Sequence, residues 1–367
     1  MRKKKLLFIM QLPPPVHGAS IMNQNVSNSK LINENFDCNV LPLAFESSIS
    51  SIGKFSVRKI FLMVGFAFSL ALRLLRFRPD VVYYTLAPVG YAFYRDAFFV
   101  LIIKMFPCKI IYHLHGKGIK KSTRNTIKKK IYRKVFNNTS LIHLGNVLLK
   151  DIEDVHRGKQ YVLPNGIQTK VLDRSVGQEF GVDRKVRFIY LSNLAETKGI
   201  KIFLESLKML KLSGYSFSAK VVGNSSKSFS IDDAKKFVKD NNLMDEIKVL
   251  GSKYDNDKYK ELASSDVFVF PTFYANECFP LSILEAMQMR LGIVTADNGA
   301  ISEMIKTNHE GYVVDRENVQ QTFHAMEKFI LNPELIQDMG DNAYRKFVNN
   351  YSIDIFERNL LKILLEA

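Results

Sequence analysis

Residues 267–287 read VFVFPTFYANECFPLSILEAM. The four apolar residues Val267 to Phe270 have the length and the β-branched or aromatic content of a buried strand, and Pro271 and Thr272 then turn the chain. Pro280 suits the first position of a helix, where its missing N–H has no intrahelical partner to lose. Leu281 to Met289 continue as a helix with Ile283, Leu284, Ala286 and Met287 toward a core. Glu277 is therefore expected in the loop before the helix and Glu285 more than a turn inside it, two carboxylates at one helix mouth. Free N–H groups at a helix N-terminus, aided by the macrodipole, bind phosphate. A sugar diphosphate fits that pattern, with the phosphates on the N–H groups, the sugar toward Glu277 and the ribose toward Glu285. The same spacing also describes two solvated carboxylates beside a packing helix.

A second stretch has the same build. Val186 to Leu191 (VRFIYL) reads as a buried strand, SNLAETKG follows at 192–199, and Ile202, Phe203, Leu207 and Leu210 then recur at helical spacing. Lys198 stands where a strand ends and a helix starts. Ligands of open α/β sheets collect at the carboxyl ends of strands, so this Lys is placed to neutralise phosphate; it is otherwise an exposed Lys beside a Gly turn. Further buried strands are expected at 6–10, 81–84, 109–114, 140–144, 219–222, 247–250 and 293–295, with helical patterns between them. Such alternation predicts parallel sheets with helices on both faces. A chain of 367 residues, 47% hydrophobic, exceeds what one core usually serves. The polar stretch Thr169 to Lys185 separates the two series of strands and reads as a linker.

The N-terminal MRKKKLLFIMQLPPP has only a short apolar run and no small-residue cleavage site, so it is expected to be a first buried strand and not a leader. Ile60 to Leu72 is apolar over thirteen residues, whereas a bilayer-spanning helix needs about 20; it reads as a core helix. The three Cys, at 38, 108 and 278, have neither metal-ligand nor disulfide spacing, which points to a reducing cytoplasm. Lys and Arg outnumber Asp and Glu by 52 to 36, a net charge of +16. Nine basic residues fall in KGIKKSTRNTIKKKIYRK at 117–134, where Ile127, Ile131 and Val135 recur every fourth position. One helix face can then pack while the rest is cationic, and each basic residue near an anionic bilayer contributes about 1 kcal/mol. The run is equally a solvated helix. Asp255-Asn256-Asp257 suggests either a metal-bound diphosphate or, before the helical pattern 258–263, a cap; the cap is the reading adopted.

Together these segments resemble the retaining glycosyltransferases of family 4, also called group 1. ECFPLSILE (277–285) is similar to the family's Glu, seven residues, Glu signature, and SNLAETKG to its diphosphate-binding turn. Pro13 to Ser20 (PPPVHGAS) resembles the N-terminal Gly loop, Tyr112 to Gly116 (YHLHG) the active-site His strand, and Leu163 to Ile167 (LPNGI) the interdomain turn. Asn298 to Glu303 and His309 to Val314 match later segments.

The resemblance implies a GT-B fold: two Rossmann-like, doubly wound parallel-sheet domains facing across a cleft. Residues 1–168 would bind acceptor, with a last helix at 350–367 crossing back onto them, and residues 169–349 would bind the nucleotide sugar. It implies catalytic roles for His115 and Glu277. Donor-binding roles fall to Gly18, Asn193, Lys198, Phe279, Pro280, Leu281, Ser282 and Glu285, with no metal and no cofactor. His113 faces the same side of its strand as His115, but the adjacent Gly116 favours His115. His17 is a further candidate near the phosphates, and position in the family puts Ser252 to Tyr254 against the nucleobase. Where the family turn usually has Arg, this chain has Asn193, so either diphosphate binding is weaker or another basic group substitutes, Lys253 or a protonated His17, with Lys198 carrying most of the cationic role. The implied activity is retaining transfer from a UDP- or GDP-linked sugar to a glycan or polyprenyl-linked acceptor in cell-surface polysaccharide biosynthesis. The implied place is the cytoplasm, peripheral on the inner face of the membrane against its anionic surface. The alternatives are a nucleotide-sugar epimerase on the same fold and a basic nucleic-acid-binding protein; the latter explains the charge but not the site motifs, so no nucleic-acid partner is expected.

Overall fold

A computed structural model of the chain describes residues 2–45, 57–170 and 185–366. The stretch read as a linker lies almost wholly outside these residues. The chain divides into two compact units, Met1–Gly166 with Asp354–Ala367, and Ile167–Ile353. The first unit runs β1 (Lys5–Met10), α1 (Gly18–Asn28), α2 (Lys30–Asn35), β2 (Asp37–Pro42), α3 (Val57–Phe77) and β3 (Val81–Tyr84). It continues through α4 (Gly90–Ile103), β4 (Lys109–His113), α5 (Ile119–Ser122), α6 (Thr126–Phe136), β5 (Ser140–His143) and β6 (Gln160–Val162). The second holds β7 (Val186–Leu191), α7 (Ile200–Leu212), β8 (Phe217–Val222), α8 (Ile231–Asp240), β9 (Ile247–Gly251) and α9 (Asp255–Ala263). Then come β10 (Val267–Phe270), α10 (Leu281–Gln288), β11 (Gly292–Ala296), α11 (Ile301–Met304), β12 (Gly311–Val314), α12 (Val319–Leu331) and α13 (Glu334–Asn350). The last helix, α14 (Ile353–Glu366), packs on the first unit, where Glu366 pairs with Lys159 at 2.8 Å.

Each unit is built on one six-stranded parallel sheet, ordered β2-β1-β3-β4-β5-β6 and β12-β11-β10-β7-β8-β9. Parallel strands joined by helical crossovers are covered on both faces, which is why they read as continuous apolar runs; every residue of β3, β10 and β11 is buried. The strand order reverses once in each sheet, between β1 and β3 and between β7 and β10. Ligands of open α/β sheets bind at such switch points, outside the carboxyl ends of the strands. In the second unit the loops that leave β7 and β10 side by side are therefore 192–199 and 271–280. At the opposite ends of these strands Arg187 holds Asp266 bidentately, Nη2 to Oδ1 at 2.7 Å and Nε to Oδ2 at 2.9 Å, which pins their register.

Three strands have no counterpart among the apolar runs: β2, β6 and β12. All three are sheet edges. An edge is partly open to water and needs no unbroken apolar run: β2 buries only Leu41, and β6 has three residues and none buried. β12 buries three of its four residues, and its shortness and opening glycine are what hide it in the sequence.

On one side of the first sheet, Leu7, Ile9, Val82, Tyr84 and Tyr112 meet the inner faces of α3, α4 and α6. Phe93 of α4 stacks on Tyr132 of α6 at 3.7 Å, and Phe66 of α3 lies 4.5 Å from Phe99 of α4. The expectation of a simple core helix at 60–72 needs correction. The helix has 21 residues and only one side of it is in the core: Leu70 and Leu74 are buried, whereas Phe61, Val64, Phe68 and Leu75 are exposed. Among the described residues, no helix is long and apolar enough to cross a membrane.

Candidate functional site

The two loops at the switch point of the second unit approach closely because residue 199 is glycine. Its φ is +86°, and a Cβ there would stand 2.3 Å from the carbonyl oxygen of Pro271. This contact brings Lys198, at the end of the first loop, against Glu277 in the second: Nζ to Oε2 is 2.5 Å. Thr272 Oγ1 lies 3.4 Å from the same carboxylate oxygen, and the ammonium sits 4.6 Å from the centre of the Tyr274 ring. Only 22% of the Lys198 side chain and 10% of that of Glu277 is exposed. A third loop fixes Glu277 from behind. Asn298 Nδ2 donates to Tyr274 O at 2.8 Å, Ala300 N donates to Cys278 O at 2.8 Å, and Gly299 at φ +62° passes so close that a Cβ would stand 2.4 Å from Glu277 O. Glycine alone meets both demands there.

The helix that follows opens one residue later than the sequence suggests. Pro280 is the cap and not the first helical residue, because its ψ of +124° is extended; α10 begins at Leu281. Phe279 is buried against Tyr351, with ring centres 5.6 Å apart, while Leu281 and Ser282 stay partly exposed at the mouth. No side chain caps this end, so its N–H groups and the positive end of the macrodipole are available to an anion. Glu285, inside the helix, is buried and paired: Lys258 Nζ of α9 reaches its Oε1 at 2.6 Å. Burial pushes the Glu285 carboxyl above its ordinary range, against the opposing pull of Lys258. Lys258 is a site residue that sequence reading missed. It sits 27 positions from its partner, and its only signal is a Lys in the helix after Asp255-Asn256-Asp257.

Those aspartates do not cap α9. The cap residue is Tyr254, without a side-chain bond; Asp255 and Asp257 lie in the first turn, where negative charge suits the macrodipole, and Asp257 pairs with Lys260 at 3.1 Å. Among the described residues no cluster of three or more His, Cys, Asp or Glu is placed to hold a metal ion. Asn193 is exposed; its carbonyl accepts from Tyr190 OH at 3.1 Å. Asn224 links this loop to the one after β9: its carbonyl accepts from Leu194 N at 2.7 Å, its Nδ2 donates to Tyr254 OH at 2.8 Å, and its Oδ1 accepts from Ser252. Lys253, in that same loop, is partly exposed.

In the first unit, Gly18 is the first residue of α1 and His17 is its cap. Ser20 N donates to His17 Nδ1 at 3.3 Å, and His17 N donates back to Ser20 Oγ at 3.0 Å. The His17 Nε2 lies 3.3 Å from Gln11 Oε1, so both ring nitrogens of His17 face groups of its own unit. The spacing left His113 and His115 equivalent, and the fold separates them. His113 is fully buried with Nδ1 against Tyr83 OH at 2.5 Å. His115, two residues past the end of β4, stacks on it at 4.2 Å and is partly exposed; its Nε2, like that of His113, is buried without a protein partner. Burial first, and His17 second, lowers the pKa of His115 to about 3, so the ring is neutral and able to accept or donate one hydrogen bond at Nε2.

Residues 177–346, a little under half of the chain, are similar to the family described as Glycosyl transferases group 1. The amylovoran biosynthesis glycosyltransferase AmsK of Erwinia amylovora is 26% identical over 139 residues, 37% of this chain. The matched region spans 33% of that protein's length. The UDP-Gal:alpha-D-GlcNAc-diphosphoundecaprenol alpha-1,3-galactosyltransferase of Escherichia coli is 23% identical over 263 residues, 67% of this chain and 66% of that protein. HepE of Anabaena, crystallised with UDP, superposes with a TM-score of 0.74 at 16% identity over 99% of this chain and 100% of its own. That likeness shows the fold: two parallel-sheet α/β domains of the GT-B type.

Proposed function

We propose that this chain is a retaining glycosyltransferase that moves a sugar from a nucleotide-diphosphate donor to a glycan or polyprenyl-linked acceptor in polysaccharide biosynthesis. The observation that carries this reading is the Lys198–Glu277 pair, held at the switch point of the second sheet beside the uncapped mouth of α10. Desolvation of two largely buried charges offsets much of their attraction, so such a pair is weak evidence of a purely stabilising role. An incoming diphosphate gives both charges a use in binding. Its oxygens draw the Lys198 ammonium and the N–H groups of Leu281 and Ser282, and Glu277 is released to accept hydrogen bonds from sugar hydroxyls. Glu285 takes the ribose hydroxyls in place of part of its bond to Lys258, and the loop joined by Asn224, from Ser252 to Tyr254, borders the base.

In the step itself the acceptor oxygen bonds to the anomeric carbon on the face the diphosphate leaves, the bond from that carbon to the phosphate oxygen breaks, and the acceptor proton passes to the departing phosphate. Lys198 and the helix mouth stabilise the charge that develops there, an electrostatic contribution that is often the largest in an enzyme. No protein base and no metal is assigned a role. His115, neutral and with its Nε2 unpaired, is assigned to a hydroxyl of the sugar or acceptor. HepE was crystallised with UDP, and the Escherichia coli relative is named for a UDP-sugar donor and a lipid diphosphate acceptor; both support a nucleotide sugar here. We place the reaction in the cytoplasm, where the free thiols Cys38, Cys108 and Cys278 stay reduced.

Calorimetry with UDP, GDP and ADP tests the donor half of this reading, and incubation of the matching sugar nucleotide with a polyprenyl-linked sugar, with and without EDTA, tests the rest. Binding of one diphosphate and an axial or equatorial product linkage that matches the donor support it. Failure of all three nucleotides to bind, an inverted anomer, or activity lost to EDTA and restored by Mg²⁺ overturns the corresponding part.

A further inference from the structure

Twelve of the 21 large hydrophobic side chains exposed among the described residues fall on three neighbouring helices of the first unit or just after one of them: Phe61 to Leu75 on α3, Tyr91 to Met105 on and after α4, Ile127 and Ile131 on α6. On α3 they form a stripe, Phe61, Val64, Phe68 and Leu75, at intervals of one helical face and with no charge among them. On α4 the stripe is Tyr91, Tyr94, Phe98 and Leu101, with Met105 just beyond the helix end. The inner faces of the same helices are packed into one core, so the outer faces lie side by side. Contiguous exposed apolar surface of this kind marks a contact with something else.

The charge beside it indicates what that is. On α6, Ile127, Lys130, Ile131 and Lys134 share the face turned away from buried Tyr132, Val135 and Phe136. Two of the nine basic residues at 117–134 are tied to carboxylates, Lys120 to Glu153 at 2.6 Å and Lys129 to Asp154 at 3.1 Å. Lys121, Arg124, Lys128, Lys130 and Lys134 pair with no carboxylate among the described residues. A second copy docking by this face would bring two such cationic helices to one interface. An anionic bilayer offers the opposite charge and a hydrocarbon layer together.

We propose that the outer face of α3, α4 and α6 docks in the headgroup region of an anionic membrane leaflet, with the α3 and α4 stripes entering the acyl boundary and the α6 cations at the phosphates. Helices that lie in the interface have this division, apolar residues on one face and Lys or Arg beside them, with long Lys stems reaching back to the headgroups. The sequence by itself drew an anionic surface only to the run 117–134; the main apolar part of the contact comes from α3 and α4. The surface lies wholly in the first unit and stands or falls independently of sugar transfer.

The chain contains no tryptophan, so Phe68→Trp introduces a single reporter on the α3 stripe. With vesicles of phosphatidylcholine and phosphatidylglycerol, its emission is expected to shift to the blue and to be quenched by brominated acyl chains. The unsubstituted chain should sediment with the same vesicles and much less with phosphatidylcholine alone. Each near-surface cation contributes roughly fivefold to partitioning, so Lys128→Glu, Lys130→Glu and Lys134→Glu together should weaken it at least about a hundredfold. Phe61→Ser with Phe98→Ser should also weaken it, and the residue of binding left at high salt, where exposed charges are screened, should vanish. Three results overturn the proposal: the unsubstituted chain stays in solution with anionic vesicles; it binds, but without acyl-chain quenching and indifferently to Phe61 and Phe98, which is adsorption by charge alone; or the reporter shifts with protein concentration in the absence of lipid and sedimentation velocity finds a dimer, which makes the face a contact between copies.

Discussion

Replacing Lys258 with methionine removes the one cation within bonding distance of Glu285 among the described residues and keeps most of the side-chain volume. In the parent the two atoms are 2.6 Å apart, with 22% of Lys258 and 11% of Glu285 exposed. Breaking a fully buried pair by removing one partner costs about 3–5 kcal/mol. Partial solvation of Lys258 reduces this to about 2–3 kcal/mol, since exposed pairs contribute only a fraction of it. For a unit of this size each kcal/mol shifts the melting midpoint by about 2–4 °C, so a drop of about 4–12 °C is expected at pH 8. The loss should depend on pH. Burial already raises the Glu285 carboxyl above its ordinary 4.5, and losing Lys258 raises it further. A group whose folded pKa is raised contributes stability that is fully present below its unfolded pKa and lost as pH rises through the folded one. The variant should therefore lie close to the parent near pH 4.5 and fall away from it as pH rises through the raised value. Adding Glu285→Gln removes the charge left alone and should recover most of the loss at pH 8. Thermal unfolding of the parent, single and double variants at the two pH values decides it. An equal loss at both, or a double variant no more stable than the single, would refute the claim that a buried uncompensated carboxylate is the cause.

Glu277→Gln should lower turnover by about 10- to 100-fold, the worth of a hydrogen bond to a charged group, while leaving nucleotide diphosphate affinity nearly unchanged; equal loss in both measurements would move Glu277 to the phosphates. Lys198→Ala should weaken binding of the free nucleotide diphosphate by about the same factor, measured by calorimetry, since it removes a charge-assisted bond and leaves Glu277 without its partner. Asn193→Arg restores the charge usual at that turn and should tighten nucleotide diphosphate binding about tenfold, with turnover falling if product release becomes limiting. Unchanged affinity in that variant would mean that the exposed Asn193 side chain does not face the phosphates.

Much of this protein is decided by its linear pattern. Strands covered on both faces are mostly apolar, so β3 and β10 appear as short unbroken runs and β1 and β7 as runs interrupted only by Lys5 and Arg187, whatever their neighbours turn out to be. The spacing of Glu277, Pro280 and Glu285 likewise places one carboxylate before a helix and one within it, because local geometry alone sets that relation. What the pattern leaves open are relations between segments distant in the chain. The edge strands β2 and β6 exist because a neighbouring strand offers them a ladder of hydrogen bonds, not because their own residues demand burial. Which ion pairs form was equally open: Lys198 meets Glu277 across 79 residues through the close pass of Gly199 and Pro271, and Lys258 meets Glu285 because α9 and α10 are neighbours. The same holds for α3, whose residues are apolar on every side. Periodicity cannot say which side of such a helix meets a core; only its packing against Phe99 and the sheet does, and that packing leaves Phe61, Val64 and Phe68 facing outward.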